Sequence, residues 1–148
     1  MHARNIPEEN TYVQLVKTLE SLQIKPTQLM RTFGITHQQY NVLRILQVRG
    51  ESGLCPSQIT PHMINRVPDM TRLLDRLERD GLISRKRCSE DRRKVMVYLS
   101  EKSKKLCSEL DSPLMETMQH IFSSLTSDEK DTLFHLLKKL ETSQLPSK

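Results

Sequence analysis

A change of hydrophobic period at residue 82 restricts the folds open to this chain more than any other feature of its sequence. Up to that point, apolar residues recur at the spacing of amphipathic helices, whereas two short segments after it, 82–88 and 94–99, predict strands. The polar segment SEDRR between them contains no glycine, which predicts a hairpin with a longer loop rather than a tight two-residue turn. Helical spacing then resumes. The expected fold class is mainly α with a small β-hairpin.

Two short helical segments lie immediately before the hairpin. The first spans 57–63, and Pro61 inside it is expected to shorten it. The second spans about 66–80, with Pro68 near its start and Gly81 at its end, as is typical of helix termini. Two short helices joined tightly and followed by a two-stranded wing have the element order of a winged helix-turn-helix. The apolar stripe of the second helix consists of Val67, Met70, Leu73, Leu74 and Leu77.

Helical patterns also precede this core. Residues 11–24 predict an amphipathic helix, which Pro26 interrupts before a second helical stretch. Thr36 and Gln39 then form the capping-box pattern of a further helix. The segment 50–56 after that helix has the composition of a loop.

Two more helices follow the hairpin. Ser100 is a suitable cap for a long helix running to about residue 123, and Pro113 is expected to kink or interrupt it. Thr126 and Glu129 form a second capping box, which predicts a last helix containing Leu133 and Leu140 among its apolar positions.

The outer helices carry more apolar residues than a winged helix of about 50 residues can cover. A twofold dimer that pairs these helices is the simplest closed assembly that would bury them. We therefore expect one domain over residues 1–148, with a winged-helix lobe at 36–100 and a helical dimerisation region at 8–33 and 101–143.

The positive charge is concentrated in one part of the chain. The whole sequence has a formal net charge of +5, and residues 57–105 alone hold 13 Lys or Arg and 7 Asp or Glu. The segments on either side are nearly neutral or acidic. Such a basic block is expected of a protein that binds a polyanion, although many basic proteins bind none.

The stretch 57–106 resembles the core of the MarR family of bacterial transcription regulators. The resemblance implies a sequence-specific regulator of double-stranded DNA, a homodimeric repressor on a pseudo-palindromic operator, released by a small-molecule effector. Ser103 departs from the family pattern, which has glycine there, and Pro61 lies inside the family's third helix. The matching positions are Ile59, Met63, Thr71, Arg72, Leu77, Gly81, Leu82, Ile83, Asp91, Arg92, Arg93, Val97, Leu99 and Ser100.

The helix at 66–80 is expected to enter the major groove with its N-terminal part. Arg72 suits a bidentate contact to guanine, and Thr71 suits a thymine methyl group or a phosphate. Asp69 has two possible roles, accepting from cytosine or capping the helix, of which capping is favoured. Arg66 and Arg76 suit phosphates. The outward-facing residues of this helix are expected to be Pro68, Asp69, Thr71, Arg72, Asp75, Arg76 and Arg79.

The wing, at 88–94, is expected to lie in the minor groove, whose negative potential favours inserted arginine. The resemblance assigns this insertion to Arg93, while Asp91 is expected to support the loop by pairing with Arg93 or another arginine. A solvated hairpin with a surface ion pair is the alternative. The cationic residues counted in the wing are Arg85, Lys86, Arg87, Arg92, Arg93 and Lys94.

The three cysteines are widely spaced and form no C-x-x-C motif. Cys88 lies among arginines that would favour its thiolate, which makes it the first candidate for a redox-responsive regulator. Cys55 lies in a loop, where its thiol would be accessible. Cys107 is expected to be packed on the long helix.

No pattern in the sequence points to an enzyme, a cofactor or a metal site. The five histidines form no i, i+3 or i, i+4 pair, and no catalytic constellation stands out. The longest apolar runs are a few residues and no signal-peptide layout begins the chain, so we expect a cytoplasmic, nucleoid-associated protein that contacts no membrane. A winged-helix module that docks an acidic partner protein is the alternative to a DNA-binding regulator.

Overall fold

The computed structural model describes residues 6–50, 52–88, 91 and 93–143. This part of the chain is mainly helical with one two-stranded antiparallel hairpin, which confirms the expected fold class. A 3-10 turn, Thr60–His62, directly follows the third helix. In chain order the elements are α1 (Pro7–Thr32), α2 (His37–Arg49), α3 (Pro56–Ile59), α4 (Met70–Arg79), β1 (Ile83–Arg87), β2 (Val95–Leu99), α5 (Glu101–Ile121) and α6 (Ser127–Ser143).

Two compact units share the chain, and the boundary between them falls inside α5, between Leu114 and Met115. The first unit contains an aliphatic core to which α2, α4, the hairpin and the first half of α5 contribute. The second contains the end of α5 and α6, and no residue of α6 is buried. The most completely buried apolar side chains of the first unit are Val42, Leu43, Leu46, Ile59, Leu74, Leu77, Val97, Cys107 and Leu110.

Neither internal proline interrupts its helix, so an interruption at Pro26 or at Pro113 was a wrong expectation, whereas a kink at Pro113 stays a prediction. α1 continues through Pro26, and α5 continues through Pro113. Proline removes one backbone hydrogen bond and its ring crowds the preceding turn. In helices of 26 and 21 residues the neighbouring turns remain bonded on both sides. The ring of Pro26 is also buried, so packing offsets part of the lost bond.

The predicted helix caps are confirmed. Thr36 and Gln39 exchange reciprocal bonds at the start of α2, in which the Gln39 backbone N–H donates to Thr36 Oγ1 over 3.2 Å. At the start of α6 the backbone N–H of Thr126 donates to Glu129 Oε2 over 2.8 Å. Ser100 caps α5 by accepting the backbone N–H of Ser103 at 3.1 Å.

Ser103, where the sequence departs from the family pattern that it resembles, has a defined place in this structure. Its side chain is fully buried, and its hydroxyl accepts the backbone N–H of Ser100 and donates to the Ser100 carbonyl. The Ser100 hydroxyl donates to the Gly81 carbonyl over 2.8 Å. The start of α5 is therefore bonded to the end of α4.

The hairpin confirms both predicted strands to within a residue or two. Its register runs from Ile83 opposite Leu99 to Arg87 opposite Val95. Leu54 adds an isolated antiparallel bridge to Val97, donating at 3.1 Å and accepting at 2.8 Å, within the segment predicted as loop. A single bridging residue leaves no periodic pattern, which is why the sequence did not indicate it.

Pro61 shortens the first helix of the helix-turn-helix, as expected. α3 ends at Ile59, and the chain continues in the 3-10 turn that contains Pro61. Within the described residues, none of the helices is both long and apolar enough to cross a bilayer.

Replacing Gly53 is expected to destabilise the fold more than replacing Gly34. Both have positive φ, 80° and 71°, so alanine strains the backbone at either site by about 1 kcal/mol. At Gly53 an added Cβ would also lie 2.6 Å from the Tyr98 ring, whereas no described atom lies within 4 Å of it at Gly34. Gly53→Ala should therefore lose roughly 1–3 kcal/mol more of the free energy of unfolding than Gly34→Ala in urea titrations. Equal losses would contradict the close approach of Tyr98.

Candidate nucleic-acid interface

The helix expected in the major groove begins later than predicted. α4 starts at Met70 rather than at about residue 66, and residues 64–69 approach it in a bent, non-helical path. Pro68 biases the residue before it away from the helical conformation. The prediction extended too far because Val67 packs against the core, which continues the apolar spacing without continuing the helix.

Asp69 is the N-cap of α4, which confirms the capping role favoured from the sequence. Its Oδ1 accepts the backbone N–H of Arg72 at 2.9 Å, and its carbonyl accepts the backbone N–H of Leu73 at 3.2 Å. The carboxylate thus satisfies one of the unpaired donors of the first turn. The helical turn that carries Thr71 and Arg72 is held by this cap.

α4 has one buried apolar face and one exposed polar face, as its apolar stripe predicted. Leu73, Leu74 and Leu77 are buried, whereas Val67 and Met70 are partly buried against the same core. The outward face is a polar surface in which cations outnumber acids. The exposed residues on and before α4 are Arg66, Pro68, Asp69, Thr71, Arg72, Asp75, Arg76, Glu78 and Arg79.

Neighbouring elements hold α4 at its C-terminal end. The backbone N–H of Gly81 donates to the Glu78 carbonyl and that of Leu82 to the Leu77 carbonyl, a Schellman arrangement that confirms Gly81 as the terminating residue. From α5, Lys102 Nζ donates to the Asp80 carbonyl over 2.8 Å.

The path that leads into α4 is also bonded to the rest of the lobe. Asn41 of α2 accepts the backbone N–H of Ile64 at its Oδ1, with a distance of 2.7 Å. The turn between the two short helices is therefore tied to the helix behind them. Together with the contacts at the C-terminal end, this bond makes α4 a rigid support for its outward side chains.

The wing presents cations around a turn organised by Asp91. Oδ1 of Asp91 accepts the backbone N–H of Arg93 at 3.0 Å, and its Oδ2 lies 4.0 Å from Lys94 Nζ. The acid thus meets Arg93 through the main chain rather than through its guanidinium, and the expected pairing with another arginine stays a prediction. Arg93, Lys94, Lys86 and Arg87 are exposed, whereas the predicted site residue Arg92 lies outside the described residues.

Arg85 does not belong with the other wing cations, which corrects its sequence-based grouping. Its guanidinium turns toward α4, where Nη2 lies 2.5 Å from Asp75 Oδ1 and Nε lies 3.4 Å from Glu78 Oε2. Successive side chains of a strand point to opposite faces, so Arg85 lies on the same face as the buried Ile83 and is directed toward the lobe. That period-two relation was available in the sequence.

Guanidinium, ammonium and hydroxyl donors dominate this surface, and they are the groups that bind phosphates and base edges in DNA. The first turn of α4 carries Thr71 and Arg72, and the hairpin tip carries Arg93 and Lys94. Among the described residues no group of three His, Cys, Asp or Glu is arranged to hold a metal ion.

The three cysteines differ in their environments. Cys107 is buried, as expected, and this burial raises the pKa of its thiol. The hydroxyl of Ser57, 3.0 Å from the sulfur of Cys55, lowers the pKa of that thiol. Cys88 is partly buried at the end of β1, and its redox role stays a prediction.

Comparison with known proteins gives a consistent result. The model of the MarR family matches residues 35–95. The MarR transcription factor of Planctomyces limnophilus is 32% identical over 93% of this chain and 98% of that one, with a TM-score of 0.68. MepR of S. aureus, solved in complex with DNA, is 28% identical over 89% and 97%, with a TM-score of 0.80. BpsR of Bordetella bronchiseptica, whose DNA binding is regulated by 6-hydroxynicotinic acid, is 20% identical over 95% and 96%, with a TM-score of 0.79.

Cys55 should react with a thiol reagent before Cys107 does. A lowered pKa increases the thiolate fraction at a given pH, and the thiolate is the nucleophile. Alkylation by iodoacetamide, followed by peptide mass spectrometry, should show a pH midpoint for Cys55 below the ordinary thiol value of 9.0. Ser57→Ala should raise that midpoint. Native-state alkylation of Cys107 at the rate of Cys55 would contradict the described burial.

Proposed function

Because this chain belongs to the MarR family of transcription regulators, we propose that it binds double-stranded DNA as a homodimer, with α4 in the major groove of each half-site. The observation that carries this proposal is the first turn of α4, where Thr71 and Arg72 are exposed on a helix anchored by Leu73, Leu74 and Leu77. MepR, a relative of 28% identity, was solved in complex with DNA.

The exposed residues of α4 are assigned two kinds of contact. Arg72 forms a bidentate contact to guanine, and Thr71 contacts a thymine methyl group or a phosphate. Arg66 and Arg76 bind phosphates and so position the lobe without specifying sequence. Asp69, whose Oδ1 accepts the backbone N–H of Arg72, keeps the first turn in place beside the base edges.

The wing is assigned to the minor groove next to each half-site. Arg93 and Lys94 are exposed at its tip, where the negative potential of a narrow groove favours them. Asp91 supports the turn through its bond to the Arg93 backbone N–H. Arg92 belongs to the same basic tip by sequence.

We assign the exposed apolar faces of the outer helices to binding a second copy of the chain. Large apolar side chains remain exposed on α1 and α6, each considered by itself. A twofold dimer that covers them would place two α4 helices about one turn of DNA apart, roughly 34 Å, and so requires a pseudo-palindromic operator. The exposed side chains are Tyr12, Val13, Leu15, Val16, Leu19 and Ile24 on α1, and Phe134, Leu136, Leu137 and Leu140 on α6.

Repression follows most simply from occupancy of the operator. A dimer that covers promoter DNA excludes polymerase without any further activity. Release by a small-molecule effector is part of the proposal, because DNA binding by the structurally similar BpsR is regulated by 6-hydroxynicotinic acid. The chemical identity of an effector for this chain is left open.

Selection of binding sites from random double-stranded DNA tests the proposal directly. We expect an enriched pseudo-palindromic motif with half-sites separated by one helical turn, and affinity that falls steeply with salt. Repeating the selection with oxidant tests the redox hypothesis for Cys88. Selection that enriches no motif would contradict sequence-specific binding and would favour a protein-interaction module.

Arg72→Ala and Arg93→Ala should weaken DNA binding in different ways. Loss of the bidentate contact should cost about 1–3 kcal/mol on the best site and relax the base preference at one position. Arg93→Ala should weaken binding across sequences and reduce the salt dependence by about one counterion. Lys105→Ala removes the same charge from the exposed side of α5 and serves as control. Variants that bind as tightly as wild type in fluorescence anisotropy would refute these assignments.

Leu140→Glu should dissociate the dimer, whereas Thr142→Glu should not. Leu140 lies on the apolar face of α6 and is 52% exposed in one chain. Thr142 lies on the opposite side of the same helix, so it adds an equal charge outside that face. Sedimentation equilibrium should report a monomer only for Leu140→Glu. A dimer that is equally stable in both variants would show that α6 is not part of the interface.

A further inference from the structure

We propose that Arg85, Asp75 and Glu78 form a clamp that positions the wing against α4, and that this clamp determines DNA affinity without contacting DNA. The clamp joins α4, which is assigned to the major groove, to β1, the strand that leads into the wing assigned to the minor groove. The inference rests on the proposed function, because the position of the wing relative to α4 matters only if both elements engage DNA.

The geometry of the clamp brings two carboxylates to one guanidinium. Asp75 and Glu78 lie three residues apart on α4, so both face the same side of the helix. Arg85 Nη2 donates to Asp75 Oδ1 over 2.5 Å, and its Nε lies 3.4 Å from Glu78 Oε2. The planar guanidinium thus combines one hydrogen bond to Asp75 with an ion pair to Glu78 in a fixed orientation, which an ammonium group does not provide.

Burial separates Arg85 from the cations that are free to reach DNA. Its side chain is 22% exposed, whereas that of Lys94 in the same hairpin is 64% exposed. The Nε atom of Arg85 is fully buried and makes no hydrogen bond within the described residues. A phosphate contact would require this group to leave the carboxylates and emerge from the surface.

The strand register fixes the direction in which Arg85 points. Arg85 is opposite Val97, which is completely buried, and opposed residues of an antiparallel pair share a face. Val97 is in turn bridged to Leu54. The hairpin is therefore attached midway along its strands, to the lobe by Val97 and to α4 by Arg85, while Arg93 and Lys94 remain exposed.

The acids of the clamp need an explanation on a surface that binds a polyanion. Asp75 lies on the outward face of α4, one turn after Thr71, where an unpaired carboxylate would repel phosphates. Pairing with Arg85 neutralises this repulsion. If the acids served no positioning role, their removal would strengthen DNA binding by relieving the repulsion.

The two explanations therefore predict opposite changes of DNA affinity when Asp75 loses its charge, and an experiment can distinguish them. Asp75→Asn and Arg85→Ala are compared with wild type on the selected DNA site by fluorescence anisotropy over a series of salt concentrations. The clamp predicts that Asp75→Asn weakens binding, on the order of tenfold, although it removes a negative charge. Glu109→Gln, which removes a carboxylate from α5 next to Lys105, is the matched control and should leave affinity unchanged.

The salt dependence distinguishes positioning from phosphate contact. Arg85→Ala should lower affinity with the same salt slope as wild type, whereas Arg93→Ala should lower the slope by about one. The double variant should bind no more weakly than the weaker single variant, since either change opens the same clamp. Arg85→Lys keeps the charge but not the planar guanidinium that faces both carboxylates, so its DNA binding should remain weakened.

Three outcomes would overturn the clamp: tighter or unchanged binding by Asp75→Asn, a reduced salt slope for Arg85→Ala, or wild-type affinity for Arg85→Lys. Thermal unfolding of each variant verifies that the lobe remains folded, and Asp75→Asn preserves the size of an exposed side chain. If wild type binds no selected DNA, the proposed function fails. If wild type binds and Asp75→Asn binds equally well, the clamp alone fails.

Discussion

Burial of three leucines on one side of α4 is the interaction on which the rest of the interface depends. Leu73, Leu74 and Leu77 lie in the aliphatic core of the first unit, and each contributes about 1.5–3 kcal/mol through apolar burial. Their spacing leaves a single rotational setting of the helix that buries all three. That setting determines which residues face outward, so the exposure of Thr71 and Arg72 is a consequence of core packing.

Local signals in the sequence were sufficient for most of the elements. The capping boxes at Thr36 and Thr126 act within four residues, and the change of period at residue 82 marks the hairpin, so no distant contact was needed to predict them. The outward face of α4 followed from the same local reasoning.

Features that depend on tertiary contacts were predicted less well. α1 continues through Pro26, which is buried, and Leu54 joins β2 through one bridge without a pattern of its own. Val67 extends the apolar period beyond the helix because core packing does not require helical backbone. Arg85 was grouped with the exposed cations by residue type, although strand alternation from the buried Ile83 already directs it inward, and its partner Asp75 is known only from the structure.

The base of the hairpin has a consequence for how such proteins vary in length. β1 and β2 leave and rejoin the lobe at one point, where Ile83 is opposite Leu99 and the Ser100 hydroxyl bonds the Gly81 carbonyl. The two strands of the hairpin are thus held together at their base, before the wing begins. Residues inserted or deleted near the tip would change the reach of the hairpin while α4 and α5 keep their places. The fold therefore allows the extent of DNA covered outside the major groove to evolve separately from the helix that reads it.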